Sequence, residues 1–409
     1  MNVREDAKRI WQAAISAVQP DQAVQRALEK ASLTGNVHLV AIGKVAWSMA
    51  NAAQKVLGET VSDGVVITKY DHSRGQIGNL RIFEAGHPVP DENSYRATRA
   101  AMELVKPLGK DDTVLFLVSG GGSALFECPL VPEDEMADVT KQLLACGADI
   151  VEMNTIRKRL SAVKGGKFAQ LASPASVFAI VLSDIVGDPL DMIASGPAYP
   201  DSATCADAMR IVKKYGLRLS AQALDCLSQE TPKTLSNVEI HITGSVRELC
   251  VAAQKETEKL GYACTLLTDC LCCQAREAGS FLASIARTHA KTDRPLEFLA
   301  GRETVVKLTG TGLGGRNQEL ALAAAPGISG LTDTVVFSFG SDGTDGPTDA
   351  AGGYVDQDTE RKLQALGICT ADALQDNDSY HALEKVGGLI VTGPTGTNVN
   401  DLAIALIRQ

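Results

Sequence analysis

Largely apolar runs of five or six residues recur along the chain, several closing on glycine, serine or lysine and followed by helical spacing. The first is Val37–Ile42, which runs into Gly43-Lys44. Beyond it Ala46, Met49, Ala50, Ala53 and Leu57 keep one face of a helix apolar. Further runs at 64–68 (GVVIT), 81–85, 114–118 and 177–182 read as strands. Helices are predicted from a cap at Asp91 or Asn93 to about Val105, then over 133–146 and 148–160. Apolar strands alternating with helices specify βαβ units and a mainly parallel sheet.

The segment Gln229–Asn237 (QETPKTLSN) breaks the pattern, being polar and proline-containing. It is the best linker candidate, so a first domain is expected over 1–236 and a second over 237–409. Alternation restarts with a strand at Val238–Ile242, a helix to Leu260, a strand at Tyr262–Leu267 and a helix to about Ala290. Strands are then expected at Leu296–Leu299, Thr304–Lys307, Thr334–Phe339 and Gly388–Val391, and a helix should close the chain after Asn398. At 409 residues the chain exceeds what one core serves. Few aromatics (4%) and 37 glycines suit α/β architecture better than a β-sandwich.

Charge narrows the partners. A formal net charge of −10 argues against nucleic acid, whose phosphate backbone asks for an excess of lysine and arginine. The N-terminus is charged from Arg4 onward and reads as an amphipathic helix without a signal-peptide apolar region. No apolar run approaches the roughly 18 residues of a membrane span, so a cytoplasmic address is expected. Ten cysteines then suggest free thiols. The run Cys270-Leu-Cys272-Cys273 lacks the second ligand pair that a zinc site needs.

Four strand exits concentrate chemistry. Lys44 follows a strand-ending glycine at a helix start, where its charge adds to the positive end of the helix dipole. Ser119-Gly120-Gly121-Gly122-Ser123 leaves the Val114–Val118 strand with no Cβ on its three central residues, so its N–H groups can curl around an anion. It is neither a Walker A loop nor a G-x-S-x-G elbow. Asp184 and Asp188 follow the 177–182 strand and could hold Mg²⁺ beside a polyphosphate, or simply cap turns. The fourth region pairs Gly310–Asn317 (GTGLGGRN), in which Arg316 opens a helix, with the Asp342/Asp345 loop (GSDGTDG). Its G-x-G-x-x-G spacing alone would suggest a dinucleotide, but it follows an apparent hairpin rather than a first βαβ unit.

Several of these strings occur in order from about Lys44 to Asp401: AIGKVAWSMA, EAGHPVPDENS, LVSGGGSALF, IRKRLSAVKGGKFA, VLSDIVGDPLDMIASGP, GTGLGGRNQELALA and FGSDGTDGPTDAAGG. Together they resemble the glycerate 2-kinases whose C-terminal part is called the MOFRL domain. The resemblance implies a two-domain α/β fold, a Rossmann-like N-terminal domain with a mainly parallel sheet and a smaller C-terminal domain, with the active site in the cleft between them. It implies transfer of the ATP γ-phosphoryl group to the 2-hydroxyl of D-glycerate with a divalent metal. In that reading Lys44, Arg316 and Asp345 are catalytic, with Asp345 as base. Ser119, Gly120, Gly121, Gly122, Ser123 and Lys164 hold ATP, and Asp184 and Asp188 hold Mg²⁺. The expected partner is a small molecule, with no nucleic acid and no membrane, and the chain acts as a monomer or homodimer. The competing expectation is an NAD(P)H-dependent hydroxypyruvate reductase, motivated by the G-x-G-x-x-G match.

Overall fold

The computed structural model describes residues 2–31, 33–183 and 190–408. The chain forms two compact units. Among the described residues one comprises 20–182 and 190–243, and the other comprises the N-terminal segment through Gln19, Ser183 and everything from Gly244 onward.

The first unit is built on six strands: β1 (Asn36–Ile42), β2 (Val61–Lys69), β3 (Leu80–Ala85), β4 (Asp112–Val118), β5 (Ser176–Val181) and β6 (Val238–Ile242). They lie in the order β3-β2-β1-β4-β5-β6, and every pairing is parallel. Strands sheathed on both faces need no polar alternation, and the runs Leu39–Ile42 and Val114–Val118 are buried at every position. Each Val, Leu, Ile or Phe among them contributes about 1.5–3 kcal/mol. Helices Ala46–Leu57 and Glu92–Val105 return the chain between strands. The second is closed at its start by a reciprocal Asp91–Ser94 capping box. A helical layer of Glu133–Ala145, Ile150–Leu160, Cys205–Tyr215 and Ala221–Ser228 has its own apolar cluster, centred on Leu143, Ile156, Leu160 and Leu227.

β6, expected to open the second domain, is the edge strand of this first sheet. The polar stretch before it is packed rather than a free linker. Thr231 is buried and donates its hydroxyl to Asp201 at 2.8 Å, while the Lys233 ammonium donates to the Asp201 carbonyl at 3.1 Å. Polar composition here reflects ties to buried acceptors, a contact that local composition does not reveal.

The second unit carries β7 (Ala263–Leu271), β8 (Leu296–Arg302), β9 (Thr334–Gly340), β10 (Gly352–Asp356), β11 (Leu389–Ile390) and β12 (Asp401–Ile407), ordered β11-β10-β9-β12-β8-β7. Only the β7–β8 pair is parallel. The chain therefore ends in a strand, not the expected helix. Asp401–Ile407 is buried at every position because it is inserted between β8 and β9, where a continuous apolar run fits a central strand. Thr304–Lys307 is not a strand; Val305 makes only an isolated bridge to Gln274. The Val3–Ala17 helix packs its Ala7, Ile10 and Ala14 face in this unit, with Trp11 edge-on to Phe337. No helix among the described residues is long and apolar enough to cross a membrane.

The Arg316–Ile328 helix is buried almost all round, from Asn317 to Ala325. It lies against the Ala275–Thr288 helix, whose Gly279 comes so near that a Cβ there would sit 2.1 Å from the Leu320 carbonyl oxygen. That close approach fixes where Arg316 emerges.

Candidate functional site

In a parallel sheet ordered 3-2-1-4-5-6 the chain reverses direction between β1 and β4, and ligands bind outside the carboxyl ends of the strands at that crevice. The loops leaving these two strands carry Lys44 and Ser119–Ser123. They are bound to one another: Ser119 N–H donates to the Ile42 carbonyl at 3.0 Å, and Lys44 N–H donates to the Gly120 carbonyl at 2.8 Å. Ser119 Oγ donates to the same Ile42 carbonyl and accepts from Val45 N–H at 3.3 Å. Gly43, at φ 112°, comes so near Ser119 that a Cβ would lie 2.3 Å from its hydroxyl. Gly121 takes φ 86° beside His87 and the Lys44 side chain.

The Lys44 ammonium makes no hydrogen bond or ion pair among the described residues; only its backbone is held, by Gly120, Thr68 and His72. Half-buried His87 shows how positive the place is. Burial, then the charges of Lys44, Lys69 and His72, push its imidazole below the usual range. No side chain caps the Ala46–Leu57 helix that starts here. A free lysine, a cationic field, an open helix start and a cleared loop backbone together make an anion site.

Lys164 belongs elsewhere. It is fully buried behind the loop, donating to the carbonyls of Ser123 at 2.7 Å and Phe126 at 3.1 Å and pairing with Glu127 at 3.2 Å. Burial lowers its ammonium to about 8 despite Glu127. It shapes the turn from beneath and has no face toward a ligand, which corrects its assignment as an ATP contact. Asp184 and Asp188 lie outside the described residues. Among the described residues no group of three or more His, Cys, Asp or Glu side chains is arranged to hold a metal.

The second unit gathers its own polar cluster at the start of the Arg316–Ile328 helix. Arg316 lays its fork on Asp401, Nε to Oδ2 at 2.5 Å and Nη2 to Oδ1 at 3.0 Å, with 39% of the side chain still exposed. Asp401, the first residue of β12, is buried. Beneath it the fully buried Arg302 is bound by Thr304, Asn317 and Ser338. Asp345 is also buried, and its carboxylate receives Asn317 N–H at 3.1 Å, Asn317 Nδ2 at 3.2 Å and Gln318 N–H at 2.8 Å. It is the cap of the Arg316 helix, with both oxygens committed, and not a base facing an acceptor. Burial pushes its carboxyl up to about 6 against those hydrogen bonds. Asp342 in the same loop is half-exposed, and among the described residues its carboxylate accepts from Thr344 N–H at 3.0 Å. Asn400, at φ 67°, keeps a buried amide nitrogen without a partner beside Asp401.

The glycine run before Arg316 is not a pyrophosphate cradle. Gly310 N–H is taken by Asn377 Oδ1 at 2.9 Å, Thr311 N–H by Asp376 Oδ1 at 3.0 Å, Gly312 N–H by the Asp376 carbonyl at 2.8 Å and Leu313 N–H by Asp378 Oδ1 at 3.0 Å. A Cβ at Gly312 would collide with Asp378. The glycines allow this docking, which commits the four amides from Gly310 to Leu313 within the protein.

Local sequence assigned no role to His87, Asp401, Arg302 or Asn400, although the string EAGHPVPDENS contains His87 and GTGLGGRNQELALA contains Arg316. Asp401 and Arg302 are joined to Arg316 only by strand pairing of β12 with β8.

A doubly wound sheet with a basic, glycine-rich loop at its reversal, and a second unit presenting an arginine fork, are suited to small anionic ligands. Residues 6–228 match a domain family of unknown function (DUF4147), and residues 296–401 match the MOFRL family. The chain is 52% identical to the D-glycerate 2-kinase of Thermotoga maritima, over 99% of each chain. It is 40% identical to the glycerate 2-kinase of Pyrococcus horikoshii, over 100% of this chain and 98% of that one. A crystal structure of Thermotoga maritima glycerate kinase superposes with a TM-score of 0.96, covering 98% of this chain and 99% of that one. The chain belongs to the glycerate kinase family with a MOFRL domain.

Proposed function

We infer that the protein is an ATP-dependent glycerate 2-kinase, moving the γ-phosphoryl group of ATP to the 2-hydroxyl of D-glycerate to give 2-phosphoglycerate and ADP. Support comes from the full-length likeness to the Thermotoga maritima D-glycerate 2-kinase. The observation that carries the chemistry is the unpartnered Lys44 ammonium beside the glycine loop at the β1/β4 reversal.

Phosphoryl transfer asks for positioning and charge neutralisation more than for covalent chemistry. In this reading the loop Ser119–Ser123 receives the phosphate tail and Lys44 stabilises the group in flight. Arg316 holds the glycerate carboxylate with the part of its fork that Asp401 leaves free. Asp342 is the carboxylate of its loop open to the acceptor hydroxyl, and Asp345 keeps the Arg316 helix in place. Mg²⁺ supplies further neutralisation of the phosphates, with Asp184 and Asp188 as its proposed carboxylates. The reductase alternative is weakened, because the first four amides of the glycine run that suggested a dinucleotide are committed to residues 376–378.

Incubation with MgATP and D-glycerate, followed by ³¹P and ¹³C NMR, tests the reading. Stoichiometric ADP with phosphate on carbon 2 is expected. Phosphate on carbon 3, or ATP left intact, overturns it.

A further inference from the structure

The Ile150–Leu160 helix carries three consecutive cations, and two are accounted for. Lys158 pairs with Asp191 and Asp201 at 3.2 Å each; Arg159 lies 3.5 Å from Asp201 and 3.2 Å from Glu230. Arg157 is different. It is half-buried, its guanidinium makes no hydrogen bond or ion pair among the described residues, and its Nε is sealed from water without a partner. A guanidinium cannot shed its proton to escape this cost. A buried donor left unpaired costs about 1–3 kcal/mol, so its retention asks for an offset that the free protein does not contain.

The neighbourhood indicates what supplies it. Asn154, one turn earlier on the same face of the helix, accepts from Ser195 Oγ at 3.0 Å, and Ser195 Oγ meets Ser123 Oγ of the glycine loop at 3.1 Å. Asn154 spends its amide on Met192 Sδ, so its oxygen faces Ser195. The single Ser195 proton goes to Asn154, and the Ser123 proton therefore goes to Ser195. Both hydroxyl protons are spent, and the Lys164 ammonium beneath is spent on carbonyls and Glu127. Yet the segment opposite is held under strain. Ala194 and Ser195 sit at φ 51° and 61°, in the left-handed region, and a Cβ on Gly122 would come 2.7 Å from the Ala194 Cβ. Non-glycine residues in that region cost roughly 1–3 kcal/mol and gather where ligands bind. Arg157 lies near enough for its charge to lower the Lys164 ammonium further, after burial. Lys44 lies at the Gly121 end of the loop, and Arg157 is tied to the Ser123 end through its neighbour Asn154 and Ser195.

We propose that Arg157 is a phosphate-binding residue for the nucleotide's phosphate tail, holding it at the Ser123 end of the glycine loop as Lys44 holds it at the Gly121 end. The proposal rests on the kinase reading and adds a ligand contact to it. A planar fork matches two phosphate oxygens, and a charge-assisted pair of this kind is worth about 1.5–3 kcal/mol, tenfold or more in affinity.

The test uses full-length Arg157→Gln and Arg157→Lys, with tripolyphosphate as a probe that has phosphates but no nucleoside. In Arg157→Gln, tripolyphosphate affinity should fall, and the KM for MgATP should rise, by about tenfold or more, with the KM for D-glycerate within about twofold. Arg157→Lys should recover part of the loss. The ligand-free melting temperature should be close to or above that of the parent, because no hydrogen bond or ion pair among the described residues is removed and an unpaired charge is relieved. Unchanged tripolyphosphate affinity overturns the proposal. So does a rise confined to the D-glycerate KM, which would make Arg157 a carboxylate ligand, or a lowered melting temperature with both KM values unchanged, which would make it structural. A parent enzyme that fails to phosphorylate glycerate overturns the kinase reading itself and is distinguishable from all three.

Discussion

Lys44 and Lys164 flank one glycine loop and share a side chain, yet their surroundings give them opposite roles. Lys164 is sealed in with Glu127 and two carbonyls; Lys44 has a free ammonium among other cations. Lys44→Met should therefore leave the melting temperature nearly unchanged and cut kcat by about a hundredfold, the scale of removing one preorganised charge. A rise in KM for ATP at constant kcat would make Lys44 a binding residue only. Lys164→Met should do the reverse, since it strands Glu127 as a buried unpaired charge at a cost of about 3–5 kcal/mol, read as a lowered denaturant midpoint. Sequence shows both lysines beside glycines. It does not show that Phe126 and Glu127 turn back under the loop, so the pair could not be told apart before the fold was known.

Elements, more than single residues, place Arg316. Its helix is pinned by the Gly279 contact, so Gly279→Ala should overpack the pair, cost about 1–3 kcal/mol in equilibrium unfolding, and raise the KM for D-glycerate as the Arg316 fork moves. On β8, which carries Arg302 at its end, Glu297 is fully buried, accepting from Thr257 Oγ1 at 2.8 Å and meeting Cys264 Sγ at 2.5 Å. Burial pushes its carboxyl up to about 7 from the ordinary 4.5. A folded-state value above the unfolded one means that the stabilisation is fully present below about pH 4.5 and is lost as pH rises through 7. The loss is on the order of 3 kcal/mol, so the unfolding free energy should decline between pH 5 and 8 in the parent and run flatter in Glu297→Gln. Equal slopes would show that Glu297 is ionised in the fold. The parallel sheet was legible because β1, β4 and β5 are buried on both faces. β12 carries the same kind of apolar run, but its place between two antiparallel neighbours depends on partners 61–73 and 99–111 residues earlier, which local periodicity does not carry.

At the scale of the whole chain the two units are not consecutive halves, because the Val3–Ala17 helix is part of the unit that begins at Gly244. Its amphipathic face was plain in the sequence; its destination was not, since Asp6 finds Tyr262 Oη at 2.8 Å and Arg408, and Arg9 finds Glu256 at 2.7 Å, all far along the chain. The helix lies against Val246–Lys259, and its removal would uncover the face of that helix on one side and Phe337 near Trp11 on the other. A fragment starting at residue 244 should therefore collapse without fixed packing, keeping far-UV dichroism while losing near-UV signal and binding hydrophobic dyes. Supplying a peptide of residues 2–19 in trans should restore near-UV dichroism and a cooperative thermal transition, by mass action on the folded form. The same peptide carrying Asp6→Ala should rescue only at higher concentration, because Tyr262 and Arg408 lose their shared buried acceptor. If the fragment from residue 244 unfolds cooperatively by itself, the N-terminal helix is an accessory to this unit and not one of its structural parts.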